Sequence, residues 1–347
     1  MKAGERGERG AATTSSEDEL VATLRRVFSG EQPGVRLGIG DDAAVVDTRD
    51  GQAVLTADIL VDGVHFDRSL ISARDLGAKA VVVNVSDVAA MAASPRFALV
   101  SVAVPPDADA GWVVELEGGV RAACDEYALA MVGGDLSAGP VAVVSVAVMG
   151  EVAPGRFVTR TGARPGDRVV VTGTLGASAG GLALSRASVS GARGALGTDW
   201  GRALVEAHVR PVARVGEGQT LAGAGATAMM DVSDGLALDL SRLCAASGVG
   251  ARVFLADVPV APELFDLRSV VAIDPLELAL SGGEDYELLA TLPPDRVAEA
   301  AEALEERFGV RLSDVGEITS DVGLVAVEAD GTERPLPATG WDHLARR

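Results

Sequence analysis

The segment ALVSVAVPPDADAGWVVELEGGVRAACDEYAL, residues 98–129, joins a short aliphatic run to a longer stretch with a different period. Residues 98–104 are mostly β-branched or aliphatic and stop at a Pro-Pro pair, which is typical of a strand. Residues 112–129 carry apolar side chains at helical spacing. A further aliphatic run follows at 141–149, so this part of the chain predicts strands interspersed with helices, in an α/β or α+β domain.

The same alternation continues toward both ends of the chain. Residues 76–91 fit a helix or a buried strand by pattern alone, and their length favours a helix. Residues 185–201 are rich in Gly, Ser and Arg without periodicity and predict an exposed loop. Further helices are expected at 17–29, 177–184, 203–208, 236–246 and 295–308, and further strands at 45–46, 53–55, 168–172, 252–255 and 286–291.

Turn-forming residues divide the chain into two domains. Pro154-Gly155 and Arg164-Pro165-Gly166-Asp167 enclose a stretch in which strand and helix patterns are interrupted. The 347 residues, 48% of them apolar, are enough for two cores. We expect domains at 17–153 and 154–347, preceded by a disordered tail at 1–16.

Composition excludes several classes of protein. Asp and Glu total 50 against 30 Lys and Arg, and a net charge of −20 disfavours binding to nucleic acid or to an anionic membrane surface. Two cysteines, Cys124 and Cys244, cannot build a disulfide framework or a thiolate zinc site. With no apolar segment long enough to span a bilayer and no signal peptide, the chain is expected to be cytoplasmic.

The scarcity of lysine and histidine excludes two kinds of catalytic site. Lys2 and Lys79 are the only lysines, and neither stands in a Gly-Lys-Ser/Thr sequence, so there is no Walker phosphate loop. The three histidines include no His-x-x-x-His pair, which rules out a zinc metalloprotease helix.

Five segments place aspartate at an expected strand or helix end, where the backbone turns sharply. Each Asp taken alone is typical of a turn or helix cap. Several converging carboxylates would repel by about 4 kcal/mol per pair at 4 Å, so they would need cations, with Mg²⁺ favoured and Ca²⁺ the alternative. The segments are Gly38-Ile39-Gly40-Asp41-Asp42, Thr56-Ala57-Asp58, Asn84-Val85-Ser86-Asp87, Gly133-Gly134-Asp135 and Asp231-Val232-Ser233-Asp234-Gly235.

Glycine-rich turns beside these aspartates are candidate phosphate sites. Backbone N–H groups at Gly133-Gly134 and Gly282-Gly283 could approach phosphate oxygens closely, although plain turns explain either pair equally well. Ser233, the N–H groups after Gly235 and the forked donor Arg160 would add further contacts to phosphate.

Two other motifs give weaker functional signals. Gly38-x-Gly40-x-x-Ala43 has the dinucleotide-binding spacing, but a strand-like run follows it and two aspartates would face the pyrophosphate, so we reject it. Gly176-x-Ser178-x-Gly180 fits a nucleophile elbow, with His208 or His343 as a possible partner, and stays as an alternative.

Eight motifs occur in an order that resembles the thiamine-monophosphate kinase family, within the aminoimidazole-ribonucleotide-synthetase-like superfamily. The resemblance implies ATP-dependent phosphorylation of thiamine monophosphate to thiamine diphosphate, by direct in-line transfer with several Mg²⁺ ions and no phospho-enzyme. The motifs are Gly38–Ala43, Thr56–Asp58 with Val64-His65-Phe66, Asn84–Met91, Gly133–Asp135, Thr159–Gly162, Asp231–Leu236, Ser281–Leu288 and Gly340–His343.

The resemblance also implies a role for individual residues. It implies no covalent or acid–base catalytic residue, and a homodimer in which the small N-terminal sheet pairs into a β-barrel beside a larger C-terminal α/β domain. The implied magnesium ligands are Asp42, Thr56, Asp58, Asp87, Asp135, Asp231 and Asp234; the nucleotide contacts are Gly134, Asp135, Arg160 and Ser233; the thiamine monophosphate contacts are His65, Glu284 and Trp341.

Related families with the same nucleotide platform remain to be distinguished. Selenophosphate synthetase uses a reactive Cys or selenocysteine near the N-terminus, and no cysteine precedes Cys124 here. Aminoimidazole-ribonucleotide synthetase stays as an alternative, as does a protein that binds Mg²⁺ and nucleotide without turnover.

Overall fold

The computed structural model describes residues 17–27, 33–49, 51–188 and 192–341. They form a two-domain α/β fold with two mixed sheets. The tail at 1–16 and the His343 alternative lie outside the described residues. Within those residues, no helix has the length and apolar character needed to cross a bilayer.

The N-terminal sheet has six strands in the order β1-β2-β3-β6-β4-β5. All neighbours are antiparallel except β4 and β5, which are parallel because helix α3 connects them. The strands are β1 (Val35–Leu37), β2 (Ala44–Asp47), β3 (Gln52–Val61), β4 (Ser94–Val104), β5 (Ala130–Ala138) and β6 (Val143–Val152).

Helices α2 (Ala73–Ala90) and α3 (Ala110–Glu126) pack closely against each other beside this sheet. Helix α2 is capped by Ser72, whose hydroxyl accepts the N–H of Asp75, and the helix is buried on almost every side. A Cβ on Gly119 would lie 1.8 Å from the Arg74 carbonyl oxygen. Glycine at this crossing therefore allows the two helix backbones to touch.

The C-terminal sheet has seven strands in the order β13-β12-β9-β11-β7-β10-β8. Only β9 and β12 run parallel. The strands are β7 (Arg168–Thr172), β8 (Ala228–Asp231), β9 (Gly250–Phe254), β10 (Leu288–Leu292), β11 (Leu312–Thr319), β12 (Gly323–Val327) and β13 (Glu333–Pro335).

The remaining α-helices are α1 and those of the C-terminal domain. Helices α5 and α6 contact α2, so the two domains share apolar packing at that place. They are α1 (Glu17–Val27), α4 (Ala177–Ala187), α5 (Asp199–Val209), α6 (Val215–Ala224), α7 (Leu236–Ser247), α8 (Glu263–Leu267), α9 (Pro275–Ser281) and α10 (Val297–Phe308).

Most of the predicted elements are confirmed, including the helical assignment of residues 76–91. The exposed loop at 185–201 is wrong: α4 continues to Ala187, a 3-10 helix spans Arg193–Gly197, and α5 begins at Asp199. Ser185 and Gly201 at its two ends are buried, whereas Arg193, Gly194 and Gly197 are exposed.

Candidate functional site

A cavity of about 900 Å³ lies between the two domains. Its wall combines the 38–44 loop, β3 and α2 of the N-terminal domain with the loops after β8 and α9 of the C-terminal domain. Of the expected site residues it brings together Asp42, Thr56, Asp58, His65, Asp87, Arg160, Asp231, Ser233, Asp234, Glu284 and Trp341.

Three carboxylates converge in this wall. One oxygen from each of Asp42, Asp87 and Asp231 lies within 4.8 Å of the others. The Thr56 hydroxyl donates to Asp87 Oδ2 at 2.5 Å, and the Ser86 hydroxyl donates to Asp231 Oδ2 at 2.6 Å. Both domains therefore supply carboxylates to the cluster. The hydrogen bond from Ser86 to Asp231 joins the two domains and fixes the separation of these carboxylates.

Burial makes this cluster electrostatically unfavourable when no cation is bound. Desolvation raises the pKa of Asp87 and Asp231 well above the ordinary value, and neighbouring carboxylates raise it further. Desolvation and repulsion by Asp42 likewise raise the pKa of Asp41 to about 7. A bound divalent cation would remove this electrostatic cost, because its positive charge would take the place of the protons that otherwise neutralise the carboxylates.

The donor set fits a hard cation. Asp42 Oδ2 is buried and has no hydrogen-bond partner, so it has a lone pair available inside the cluster. Asp58, Thr56 and Asp234 add further oxygens along the same wall. An all-oxygen set of this kind is the environment that Mg²⁺ prefers.

Arg160 lies beside the cluster, in the connection between the domains. Its Nη2 donates to Asp42 Oδ1 at 2.5 Å, and its backbone N–H donates to both oxygens of Asp41 at 3.2 Å. Its Nε is buried and has no partner. The guanidinium thus orients Asp42 and keeps one N–H for another acceptor.

The positions of two aspartates correct the expectation of sharp turns at strand or helix ends. Asp58 lies inside β3, where its backbone N–H donates to Asn84 Oδ1 at 2.9 Å. Asp87 lies inside α2, the helix that carries Asn84 and Ser86 as well. That expectation is wrong here because α2 packs against β3 and the opposite domain, so Asn84 and Asp87 bond to β3 and Ser86 bonds to Asp231.

The loop after β8 is held by a residue that the sequence patterns did not indicate. Asp239 Oδ2 accepts the backbone N–H groups of Ser233, Asp234 and Gly235 at 3.1, 2.9 and 3.0 Å. These three N–H groups are thereby occupied, whereas the N–H groups predicted to face phosphate are those that follow Gly235 at the start of α7. An acidic residue in the first turn of α7 was the available signal.

Arg242 extends this network. It pairs with Asp234 and, at 3.2 Å, with Asp239 Oδ1. Arg242 also lies 3.3 Å from Asp18 of α1, so the first helix borders the cavity. Asp234 therefore presents a carboxylate that is already oriented by an arginine.

The residues expected to contact thiamine monophosphate also line the cavity. The N–H of Glu284 donates to the Ser233 carbonyl at 2.7 Å, and the N–H of Trp341 donates to the Asp234 carbonyl at 3.0 Å. His65 Nδ1 accepts the N–H of Val61 at 3.0 Å. Glu284 adopts φ +67°, so the loop carrying it is held in an unusual conformation for a non-glycine residue.

Gly134 and Asp135 lie elsewhere. They belong to β5, the exposed edge strand, and neither lines the cavity. The expected sharp turn at Gly133-Gly134-Asp135 is wrong, since these residues pair with Leu99, Val100 and Ser101 of β4. Strands β6 and β4 lie between β3 and β5. Gly134 on β5 is therefore about 14 Å from Asp58 on β3.

The nucleophile-elbow alternative has only part of its geometry. Ser178 Oγ lies 3.1 Å from His208 Nδ1, but Ser178 is 1% exposed. The same nitrogen of His208 is the one 3.4 Å from Glu284 Oε2, so the imidazole cannot relay a proton between the two groups as a triad does.

Comparison with known proteins agrees with this architecture. The AIR synthase related protein family matches twice, with its N-terminal domain over residues 40–152 and its C-terminal domain over residues 164–328. Thiamine-monophosphate kinase of Escherichia coli K12 is 38% identical over 314 residues, which is 90% of this chain and 93% of the relative. The chain belongs to the thiamine-monophosphate kinase family. The family member of Bacillus subtilis is 33% identical over 89% of this chain and 94% of its own length.

Solved structures of the family have the same fold. The structure described as AaThiL complexed with AMPPCP and TMP has a TM-score of 0.82 and 34% identity, over 94% of this chain and 97% of the other. Thiamine monophosphate kinase from Aquifex aeolicus has a TM-score of 0.76 and 32% identity, over 91% and 97%.

Proposed function

We propose that the protein phosphorylates thiamine monophosphate to thiamine diphosphate, with ATP as the phosphoryl donor. The observation that carries the proposal is the buried three-carboxylate cluster in the wall of an interdomain cavity. Membership of the family supports the same reaction, as does the relative complexed with AMPPCP, an ATP analogue, and TMP.

The carboxylate cluster is suited to several Mg²⁺ ions. Asp42, Asp87 and Asp231 would hold them, with Thr56, Asp58 and Asp234 as further ligands; the bound ions would supply charge neutralisation for the triphosphate. Arg160 Nε is free to donate to a phosphate oxygen beside these ligands, and Ser233 borders the same place.

The acceptor needs no general base. The phosphate monoester of the acceptor is largely a dianion at neutral pH, since its second pKa is about 6, and an oxygen without a proton can attack directly. A direct in-line transfer therefore requires alignment and charge compensation, which agrees with the lack of an assigned acid–base residue.

The acceptor side of the cavity suits a cationic heterocycle. Glu284 offers a carboxylate to the thiazolium charge, and the Trp341 indole offers a flat face to either ring. His65 also lines the cavity, with Nδ1 accepting the backbone N–H of Val61.

We also propose that a second copy covers the outer face of the N-terminal sheet and closes it into a barrel. Leu55, Ile59 and Leu99 are 40 to 52% exposed on its strands, and Val132 on the edge strand is 60% exposed. An apolar face of this kind is typical of a protein interface. Gly134 and Asp135 lie at that edge, so pairing would bring them to a neighbouring subunit.

The activity is tested by incubating the protein with ATP, Mg²⁺ and thiamine monophosphate and separating the products by chromatography. Equimolar ADP and thiamine diphosphate, both abolished by EDTA and by Asp231→Asn, are expected. ADP without thiamine diphosphate would reassign the acceptor to that of another superfamily member. Nucleotide binding without either product would indicate a binding protein instead of a kinase.

A further inference from the structure

Lys79 occupies an unusual position for its type. It lies in the middle of α2 and is 1% exposed, in a chain that otherwise uses arginine for its basic residues apart from Lys2. Its ammonium contacts the His208 carbonyl oxygen at 3.0 Å and Glu284 Oε1 at 3.0 Å. A buried ammonium is retained only where such partners compensate its charge, so the pairing with Glu284 is specific.

Glu284 is the partner that reaches the cavity. Its side chain is 26% exposed and forms part of the cavity wall. Backbone bonds hold the loop on both sides: Glu284 N–H bonds to the Ser233 carbonyl, and Tyr286 N–H bonds to the Val232 carbonyl at 2.9 Å. These bonds fix the backbone at positive φ and leave the direction of the carboxylate to its side-chain partners.

Among the described residues, only Lys79 and His208 lie within ion-pair distance of Glu284. Burial and the neighbouring Lys79 charge lower the pKa of His208 to about 4, so the imidazole is neutral at neutral pH. The imidazole also lies 3.1 Å from the Ser178 hydroxyl. Lys79 is therefore the charged group that holds this carboxylate.

We propose that Lys79 is a positioning residue for the acceptor. It holds Oε1 of Glu284 from the buried side, across the domain interface, so that the carboxylate presents a fixed edge to the cationic acceptor. The proposal rests on the proposed function and adds a residue that does not touch the substrate. Loss of the Lys79 contact should affect the acceptor and not ATP, because the carboxylate cluster and Arg160 are held by other contacts.

Lys79→Met removes the charge at similar length, and Lys79→Gln keeps an N–H donor without the charge. We expect Lys79→Met to raise the KM for thiamine monophosphate about ten-fold or more, with the KM for ATP changed by less than about two-fold. Lys79→Gln should have a smaller effect, and it also serves if Lys79→Met fails to fold. Ser178→Ala, which removes only the hydroxyl contact to His208, is the matched control and should leave both KM values unchanged.

Combination with Glu284→Gln separates positioning from a general structural role. If Lys79 acts through Glu284, the double variant Lys79→Met/Glu284→Gln has the same acceptor KM as Glu284→Gln alone. Equal increases in both KM values, or full additivity of the two substitutions, would overturn the proposal while wild-type turnover still supported the kinase. Wild-type protein that forms no thiamine diphosphate would instead refute the proposed function, and the positioning role with it.

Discussion

Asp87→Asn tests whether the carboxylate cluster exists to hold cations. The substitution keeps an oxygen for the Thr56 hydroxyl, which now donates to Asp87 Oδ2 at 2.5 Å, and removes one negative charge. The substitution therefore tests the effect of the negative charge alone, because the shape of the side chain is nearly unchanged.

The expected magnitude follows from the separation of the carboxylates. Two unit charges 4.8 Å apart repel by about 3.5 kcal/mol at an effective dielectric constant of 20, and Asp87 takes part in two of the three pairs. Protonation already relieves part of this repulsion in the wild type, since the pKa of Asp87 is raised by burial. We expect Asp87→Asn to stabilise the metal-free protein by about 2 kcal/mol, or about 3 °C in Tm, at about pH 8.

Thermal unfolding followed by circular dichroism, with EDTA or with excess Mg²⁺, measures this effect. Because a raised carboxyl pKa contributes stability at low pH that is lost as pH rises through the folded-state pKa, the metal-free wild type should weaken toward alkaline pH and the variant should weaken less. Mg²⁺ should raise the Tm of the wild type more than that of Asp87→Asn. Asp107→Asn, in an exposed pair with Arg68, is the control. A metal-free Asp87→Asn protein less stable than the wild type would contradict the argument.

Four further predictions concern other parts of the molecule. Arg160→Lys loses the Nη2 contact to Asp42 and the free Nε, so the KM for ATP should rise about ten-fold in steady-state kinetics while that for the acceptor stays constant. His208 has its pKa lowered to about 4, so unfolding titrations should show wild-type stability falling by up to about 3 kcal/mol as pH drops from 6.5 toward 4, and His208→Gln should flatten that profile. Gly119→Ala places a Cβ 1.8 Å from the Arg74 carbonyl oxygen and should lower the free energy of unfolding in urea titrations by about 1–3 kcal/mol, whereas Gly223→Ala, with open space around it, should not. Ile59→Lys should convert a dimer to a monomer in light scattering, and a monomeric wild type would exclude the proposed barrel.

The sequence was most informative where one periodicity covered a whole element. The helices at 76–91 and 112–129 and the strands at 98–104 and 141–149 were predicted and are confirmed, because their apolar positions repeat over several turns or alternations. Strand β5 was missed because it is an exposed edge strand with two glycines, and its partner β4 supplies the pairing that the pattern lacks.

The site shows the same limit. Oxygen ligands around a hard cation were expected from residue type, and the structure brings Asp42, Asp87 and Asp231 together. The contacts of Lys79 with Glu284 and of Asp239 with its loop were not foreseen, because both residues are charged groups whose partners become apparent only in the folded chain. Lys79 lies in an apolar helical pattern that gave no functional signal, and Asp239 in the first turn of α7 indicated only the start of a helix.

The hydrogen bond between Ser86 and Asp231 has a consequence for protein synthesis. These residues are 145 positions apart in the chain. At about 5–20 residues per second, a ribosome takes roughly 7 to 30 s to add the second after the first. During that interval a nascent N-terminal domain carries Asp42 and Asp87 without their third carboxylate. A chain under translation therefore has no complete site with which to retain metal or consume nucleotide until its second domain has emerged and docked.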